Sequence, residues 1–131
     1  MTFPTDFLDL LTDETKALLY LATIMPDGSP QVTPVWFSTD GEDVLINTNE
    51  GRTKDKNMKV RPRVAMVIQD PANRDRYLGM RGEIVEFTRE GADEHINRLS
   101  LKYYGTPWTY KEGQRRIIYR IRPSHFDLHY D

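Results

Sequence analysis

Val64-Ala65-Met66-Val67-Ile68 is apolar at every position, and this stretch decides which class of fold the chain can adopt. A strand with one solvated face alternates apolar and polar side chains, whereas a strand covered on both faces does not. We therefore expect a strand that is buried on both sides, as in a closed barrel. Arg61-Pro62 comes just before it and ends any preceding helix, because the residue before a proline avoids helical geometry.

The segments on either side of this stretch are mainly strands joined by tight turns. Turn-forming residues at 26–29 and 39–42 separate the N-terminal ones, and Pro123 predicts a kink in the last one. Gly79 and Gly82 predict bends or a close backbone approach in the strand before it. The predicted strands are 19–25, 31–38, 43–48, 64–68, 77–88 and 115–130. Six strands connected by hairpins or short excursions predict a mainly β fold with a few helices, in the form of a six-stranded antiparallel barrel.

Three segments predict helical structure. The segment 6–19 indicates a helical turn followed by a capped helix, and 54–59 indicates a short helix. The segment 90–104 carries apolar residues at helical spacing and ends at a glycine, so we expect it to be the one substantial helix. His95 lies in this charged helix and is expected to be exposed.

Composition limits the classes of function. The 131 residues fit a single domain, 1–131, and contain no cysteine, which excludes disulfides, thiolate nucleophiles and cysteine-ligated metals. The three histidines lack metal-ligand spacing, so we expect no metal. With no signal peptide and no apolar run of membrane-spanning length, we expect a cytoplasmic protein without a membrane partner.

Positive charge is concentrated in the block 52–63, which has six Lys or Arg residues against one acid in a chain of net charge -2. The block follows the strand 43–48 and opens with Arg52-Thr53-Lys54. Guanidinium, ammonium and backbone N–H groups on a short loop suit a phosphate. The alternative is a solvated basic helix face. Because the basic residues are not interleaved with aromatic residues along strands, we expect no nucleic-acid partner.

An ordered series of motifs runs through the chain. The motifs are Pro26-Asp27-Gly28, Pro30 to Trp36, Ile46-Asn47-Thr48, Arg52-x-Lys54-x-x-Asn57, Arg61-Pro62-Arg63-Val64 and Tyr77 to Gly82. This series resembles the split-barrel flavin and deazaflavin proteins, the relatives of pyridoxamine 5'-phosphate oxidase. Within them it is most similar to the short branch of F420-dependent reductases. The resemblance implies an FMN-binding type of split β-barrel that forms a homodimer, with two cofactors in clefts at the interface.

The resemblance also implies which residues bind the cofactor. Arg52 and Lys54 match the positions that hold its phosphate, and Tyr77 matches a contact from the partner subunit. Asn57 belongs to the same motif but has a plain alternative as a helix-face amide. The ring is expected to lie along one strand and against the wall opposite, which together comprise Gln31, Val32, Thr33, Pro34, Ile46, Asn47 and Thr48. Pro34 lacks an N–H, so its strand is expected at a sheet edge or bulge.

The function implied is hydride transfer from reduced coenzyme F420 to an electron-poor small molecule such as an unsaturated carbonyl, a lactone or a quinone. The cofactor carries this chemistry, so the sequence names no catalytic residue; solvent or Tyr104 could protonate the product. Trp108 is expected to be an exposed lid over the substrate. Two alternatives stay open: an FMN-binding oxidoreductase, and a flavin- or deazaflavin-binding module without turnover.

Overall fold

The computed structural model describes residues 1–130. Its elements are the 3₁₀ helix Thr5–Leu11, the strands β1 Leu19–Ile24, β2 Pro30–Val35, β3 Ser38–Asp40, β4 Asp43–Asn49, β5 Arg63–Gln69, β6 Tyr77–Thr88 and β7 Arg116–His129, and the helices α1 Thr53–Val60 and α2 Ala92–Tyr104. The strands form one sheet in the order β2-β1-β5-β6-β7-β4-β3 with antiparallel neighbours. The predicted mainly β antiparallel class is confirmed.

The strand count is seven within residues 1–130, not the predicted six. The predicted strand 31–38 is broken after Val35, so that β2 pairs with β1 while β3 pairs with β4 at the opposite edge of the sheet. The break lets one continuous stretch of chain serve both edges. Pro34 lies in the edge strand β2, as its missing N–H predicted.

The core lies on one face of the curled sheet. Leu21, Met66 and Leu78 come from three neighbouring strands and are almost completely buried. Within β5, however, Ala65 is exposed and Val67 is only half-buried. The expectation that this strand is buried on both sides is therefore wrong for the single chain, because no element of residues 1–130 covers its second apolar face.

The N-terminal segment contains the 3₁₀ helix Thr5–Leu11 and no helix between it and β1, so the predicted capped helix is wrong. Phe7 and Leu10 of the 3₁₀ helix are fully buried in the core. Arg76 holds this segment in place with bonds of 2.8 Å and 2.9 Å to the carboxylate of Asp9. The conformation of the N-terminal segment thus depends more on the packing of Phe7 and Leu10 in the core than on local helix propensity.

The register of the longest strands, β6 and β7, shifts next to the pair formed by Gly82 and Pro123, and a bulge of this kind bends the strand that carries it. A Cβ atom on Gly82 would lie 2.5 Å from the carbonyl oxygen of Arg122. The predicted close backbone approach at this glycine and the predicted kink at Pro123 are confirmed. Neither helix of the described residues is long and apolar enough to cross a membrane.

Candidate functional site

A cleft of about 440 Å³ opens beside the loop that joins β4 to α1. Its lining includes the cationic side chains of Arg52, Lys54 and Arg116 and an aromatic wall to which Trp36, Tyr104 and Trp108 belong. The cationic groups come from different parts of the chain: two from the start of α1 and one from the start of β7. Antiparallel pairing of β4 with β7 brings these parts together.

Arg52 and Lys54 have no partner for their charged groups within residues 1–130. Arg52 is the N-cap residue of α1, and Lys54 lies in the first turn. Burial lowers the pKa of the Lys54 ammonium, and the nearby charges of Arg52 and Arg116 lower it further. Because positive groups face one another here without a carboxylate between them, this part of the cleft favours an anion.

Asp55 fixes the shape of the loop that carries these cations. Its carboxylate is buried and accepts a hydrogen bond of 2.8 Å from the backbone N–H of Gly51. The hydroxyl of Tyr119 donates to the other carboxylate oxygen at 2.5 Å, and Lys59 pairs with that oxygen at 3.3 Å. The loop is therefore tied to β7 before any ligand binds.

The rest of the basic block behaves differently. Lys59 pairs with Asp55, Arg61 donates to the carbonyl of Ile24 at 2.6 Å, and Arg63 lies 3.8 Å from Glu83. Lys56 is exposed to solvent. The block thus divides into two residues that line the cleft and four that serve as ordinary surface or structural cations.

Asn57 lies outside the cleft. Its side chain is buried and donates to the Thr23 hydroxyl at 3.0 Å, while its amide oxygen accepts a bond of 3.1 Å from Arg61. Of the other residues predicted from sequence, Pro34, Asn47 and Thr48 line the cleft. Within residues 1–130 the Thr48 hydroxyl is buried without a hydrogen-bond partner.

The remaining predicted residues lie around the cleft or away from it. Ile46 is fully buried in the core. Gln31 is half-buried and accepts a weak bond of 3.4 Å from Thr23, and the buried Thr33 hydroxyl has no partner within residues 1–130. Val32 is 60% exposed. The two strand faces therefore separate these side chains: Gln31 and Thr33 alternate with Val32.

Tyr77 does not line the cleft of its own chain. Its ring stacks on that of His129 with centroids 4.7 Å apart. It borders a shallow apolar surface with Tyr20, Val32 and Val67. A role for Tyr77 at the cofactor can therefore come only from a second copy of the chain.

The aromatic wall of the cleft is built around Trp36, at the break between β2 and β3. The Trp36 ring stacks on Tyr103 at 5.3 Å and meets the edges of Tyr104 and Trp108 at 5.1 Å and 6.1 Å. Trp108 is half-buried, and its backbone N–H donates to the Asn97 side chain at 3.0 Å. The expectation of an exposed lid at Trp108 is wrong, because the residue is packed into the wall.

Sequence reasoning missed Arg116 and misjudged His95. Arg116 is 5% exposed and donates from Nε to the Asn47 amide oxygen at 2.8 Å. His95 is buried, not exposed: its Nδ1 lies 3.1 Å from Asn47 Nδ2 and its Nε2 lies 2.9 Å from the Ser38 hydroxyl. Burial lowers the His95 pKa to about 4, so the ring is neutral at pH 7. Its helical spacing from Ala92 and Leu99 was the signal that could have revealed its burial.

No group of three His, Cys, Asp or Glu side chains in residues 1–130 is arranged to hold a metal ion. The cleft is lined by cations, by amide and hydroxyl groups and by aromatic rings. The cations can bind an anion, and the aromatic rings can pack against a flat ring.

Comparisons with known proteins agree with this architecture. A solved structure named F420 reductase is 34% identical, with a TM-score of 0.83, and the match covers 95% of this chain and 98% of that one. A haem storage protein from Vibrio cholerae shares the fold at 14% identity and a TM-score of 0.68, over 98% of this chain and 96% of that one.

A conserved hypothetical protein from Mycobacterium tuberculosis also shares the fold, at 22% identity and a TM-score of 0.69, over 99% of this chain and 86% of that one. None of the curated proteins matches the chain. The family described as pyridoxamine 5'-phosphate oxidase matches residues 11–130, which is nearly the whole chain. The predicted split-barrel fold is thereby confirmed, and the chain belongs to the pyridoxamine 5'-phosphate oxidase family.

Proposed function

We propose that this protein is an oxidoreductase that binds coenzyme F420 and passes hydride from its reduced form to an electron-poor organic acceptor. The observation that carries the proposal is the cleft itself, whose lining combines unpaired cations with an aromatic wall. A phosphate-bearing flat heterocycle has the matching distribution of charge and apolar surface.

The residues of the cleft fit such a cofactor. Arg52 and Lys54 would hold its phosphate, since neither cation has an acceptor within residues 1–130 and each charge-assisted bond contributes about 1.5–3 kcal/mol. The unpartnered Thr48 hydroxyl would gain a polar partner after a small movement. Pro34 and Trp36 would bound the ring on the side of the β2 edge.

The choice of F420 over FMN is supported by the name of the 34% identical structure. Fewer cations are available to attract the polyanionic tail of F420 than the sequence indicated. Lys59, Arg61 and Arg63 already have protein partners, so they are poorly placed to attract a polyanionic tail. Arg116 remains as a cation for it. FMN is the alternative cofactor, and a binding module without turnover is the alternative function.

When bound, the reduced cofactor supplies the hydride. The protein contributes the rest: the cations bind the anionic end, and the Trp36 wall keeps water from one side of the ring site. Tyr104 lines the cleft and is 71% exposed, so its hydroxyl could deliver a proton to the product as readily as solvent could.

A homodimer is part of the proposal. The second face of β5 is apolar and open, and Tyr20 and Val32 beside it are 40% and 60% exposed. A second copy is the occupant that would bury this surface and also bring its Tyr77 to the Arg52 loop. Light scattering should give the mass of a dimer, and Val32→Glu should give a monomer that binds the cofactor more weakly. A wild-type monomer with full cofactor affinity would contradict the dimer.

Absorbance titration of the purified protein with F420 and with FMN tests the cofactor. Tighter binding of F420 supports the proposal, tighter binding of FMN supports the alternative, and binding of neither rejects both. Reduced F420 is then mixed with menadione or an unsaturated lactone. Oxidation no faster than in the protein-free control would identify a carrier in place of a reductase.

A further inference from the structure

Arg116 is the cation of the cleft that sequence reasoning did not find. It lies at the start of β7, where its guanidinium is almost completely buried and yet lines the cleft. No carboxylate of residues 1–130 forms an ion pair with it. The Trp108 ring lies 5.2 Å from the guanidinium carbon and covers it on one side. A buried guanidinium without a counter-ion is unfavourable unless a ligand supplies the charge.

Asn47 sets the direction of this guanidinium. Asn47 Oδ1 accepts from Arg116 Nε, while Asn47 Nδ2 donates to the Ala92 carbonyl at 2.8 Å and to His95 Nδ1. Since the two Nδ2 protons already have these acceptors, the amide cannot flip, and its oxygen must face Arg116. Only Nε of the guanidinium is engaged, so the Nη1 and Nη2 groups have no acceptor among residues 1–130.

Charge near Arg116 points to the same part of the cleft as Arg52 and Lys54. Burial and the neighbouring charge of Arg52 together lower the pKa of Arg116 to about 10, and the more weakly acting charge of Asp93 offsets only part of this shift. The pKa of the Lys54 ammonium is lowered first by burial and then by the charges of Arg52 and Arg116. Three positive groups therefore converge, and a ligand portion with one negative charge would leave two of them uncompensated.

Resting on the proposed function, we infer that Arg116 is a third anion-binding residue of the cleft, positioned by Asn47, and that this part of the cleft takes a ligand portion carrying at least two negative charges. A phosphate monoester carries them on one group. A phosphodiester with carboxylates beyond it carries them on successive groups. Arg52 and Lys54 alone could bind a ligand portion with a single negative charge. The additional positive charge of Arg116 is the reason that we infer at least two negative charges on that portion.

The test compares ligands that differ only in their anionic part. Binding is titrated by absorbance with FMN against riboflavin, and with F420 against its deazaflavin chromophore without the phosphodiester. Arg116→Gln should weaken binding of the ligand with the phosphate by about 10- to 150-fold and change binding of the phosphate-free ligand by less than about 3-fold. Equal losses for both members of a pair, or no loss, would overturn the inference.

The neighbouring residue supplies the matched control. Arg115 is exposed and lies 3.5 Å from Glu50, outside the cleft lining. Arg115→Gln removes the same charge one position away and should change every affinity by less than about 3-fold. A loss as large as that of Arg116→Gln would mean that only the general field attracts the ligand. Arg116→Lys, which keeps the charge but not the fork, should give an intermediate loss.

The positioning role of Asn47 has its own readout. Asn47→Ala should lower affinity for the phosphate-bearing ligand in the wild type, but have little further effect in the Arg116→Gln background. Fully additive losses would show that Asn47 acts independently of Arg116. Circular dichroism and thermal unfolding of each variant identify any that fail to fold, and Arg116→Lys keeps the test available if Arg116→Gln is one of them.

Inorganic phosphate separates this inference from the proposed function. If neither cofactor binds the wild type, the proposed function fails, but phosphate should still raise the thermal unfolding temperature of the wild type more than that of Arg116→Gln. An equal rise in both proteins, or no response of the wild type to phosphate or to either cofactor, would overturn the role of Arg116.

Discussion

The two ends of the β4–β7 ladder differ in whether their arginines form ion pairs. At one end, which we call the paired end, Asp43 is buried and binds Arg122 at 2.9 Å and Arg120 at 3.0 Å, and Asp40 binds Arg120 at 2.8 Å. At the other, the cleft end, the cations Arg52, Lys54 and Arg116 have no ion pair within residues 1–130. Arg116, Arg120 and Arg122 lie in the same strand, β7, so the strand alone does not explain the difference.

The difference separates residues that serve the fold from residues that serve a ligand. A paired arginine lowers the free energy of the folded chain by itself, whereas a cation without a partner contributes little or costs stability until an anion binds. We therefore expect changes at the paired end to alter stability without altering affinity, and changes of the cleft cations to do the reverse.

The largest effect on stability is expected at the paired end. Asp43→Asn removes the charge that Arg122 and Arg120 share and should lower the free energy of unfolding by about 3 kcal/mol. Urea unfolding measures this, and cofactor titration should show no change in affinity. Asp40→Asn is the matched control: the Asp40 carboxylate is 64% exposed, so its loss should cost less than about 1 kcal/mol. A drop in cofactor affinity for Asp43→Asn would break the distinction between the two ends.

Acid should affect the cleft end before the paired end. The folded-state pKa of His95 is about 4, below the unfolded value of about 6.5, so the unfolded chain binds the extra proton first. Stability should therefore fall as the pH drops from about 6.5 to about 4, by about 2 kcal/mol between pH 7 and pH 5. Urea unfolding of wild type and of His95→Gln measures this contribution, which the variant should lack.

The Asp43 carboxyl contributes with the same sign but at lower pH, because its pKa is also lowered by folding. The hydrogen bond from Arg122 holds its pKa below the ordinary value, so its contribution is complete above about pH 4 and is lost only as the pH falls through the lowered pKa. His125→Gln, at an exposed position, should leave the loss between pH 7 and pH 5 unchanged. A wild-type stability that stays constant over that range would contradict the neutral buried His95.

A smaller effect on stability is expected at the hydrogen bond that connects the cleft loop to β7. Tyr119→Phe removes the hydroxyl that donates to Asp55 and should cost about 1 kcal/mol of stability. It should also weaken cofactor binding by about 2- to 5-fold, because the Gly51 to Lys54 loop loses part of its support. Thermal unfolding and titration of the same sample measure both. An effect on stability without any on affinity would mean that the loop needs no such support.

Much of the fold follows from local signals. Turn residues at 26–29, the close approach at Gly82 and the edge position of Pro34 all depend on the conformational limits of glycine and proline, which act within a few residues. Two other features do not follow from local signals: the broken strand at Trp36 and the absence of a helix between Leu11 and β1. They depend on which partner each stretch meets in the sheet and core, and a linear pattern does not contain that partner.

The same distinction divides the candidate site. Arg52 and Lys54 were found because they stand together after a strand. Arg116 lies far from them in sequence and joins them only through the pairing of Asn49 with Arg116 in the β4–β7 ladder. Its neighbours in sequence, Arg115 and Ile117, give no sign of a cleft. Asn57 belongs to the same sequence motif, but its side chain forms hydrogen bonds with Thr23 and Arg61 outside the cleft.

The smallest effects on stability, together with a large effect on affinity, are expected for Arg52→Ala and Lys54→Ala, and this pair of readouts tests the central claim most directly. Lys56→Ala is the control, because Lys56 lies in the same helix but is exposed, whereas Lys59 touches Asp55. Without ligand, all three variants should unfold at nearly the wild-type temperature.

With the cofactor, Arg52→Ala and Lys54→Ala should each lose about 1.5–3 kcal/mol of binding free energy, or about 10- to 150-fold in affinity, while Lys56→Ala stays near the wild type. Titration of the three variants beside the wild type at one salt concentration gives the result. If Lys56→Ala loses as much affinity as the other two, diffuse attraction explains the binding and the cleft end is not a phosphate site.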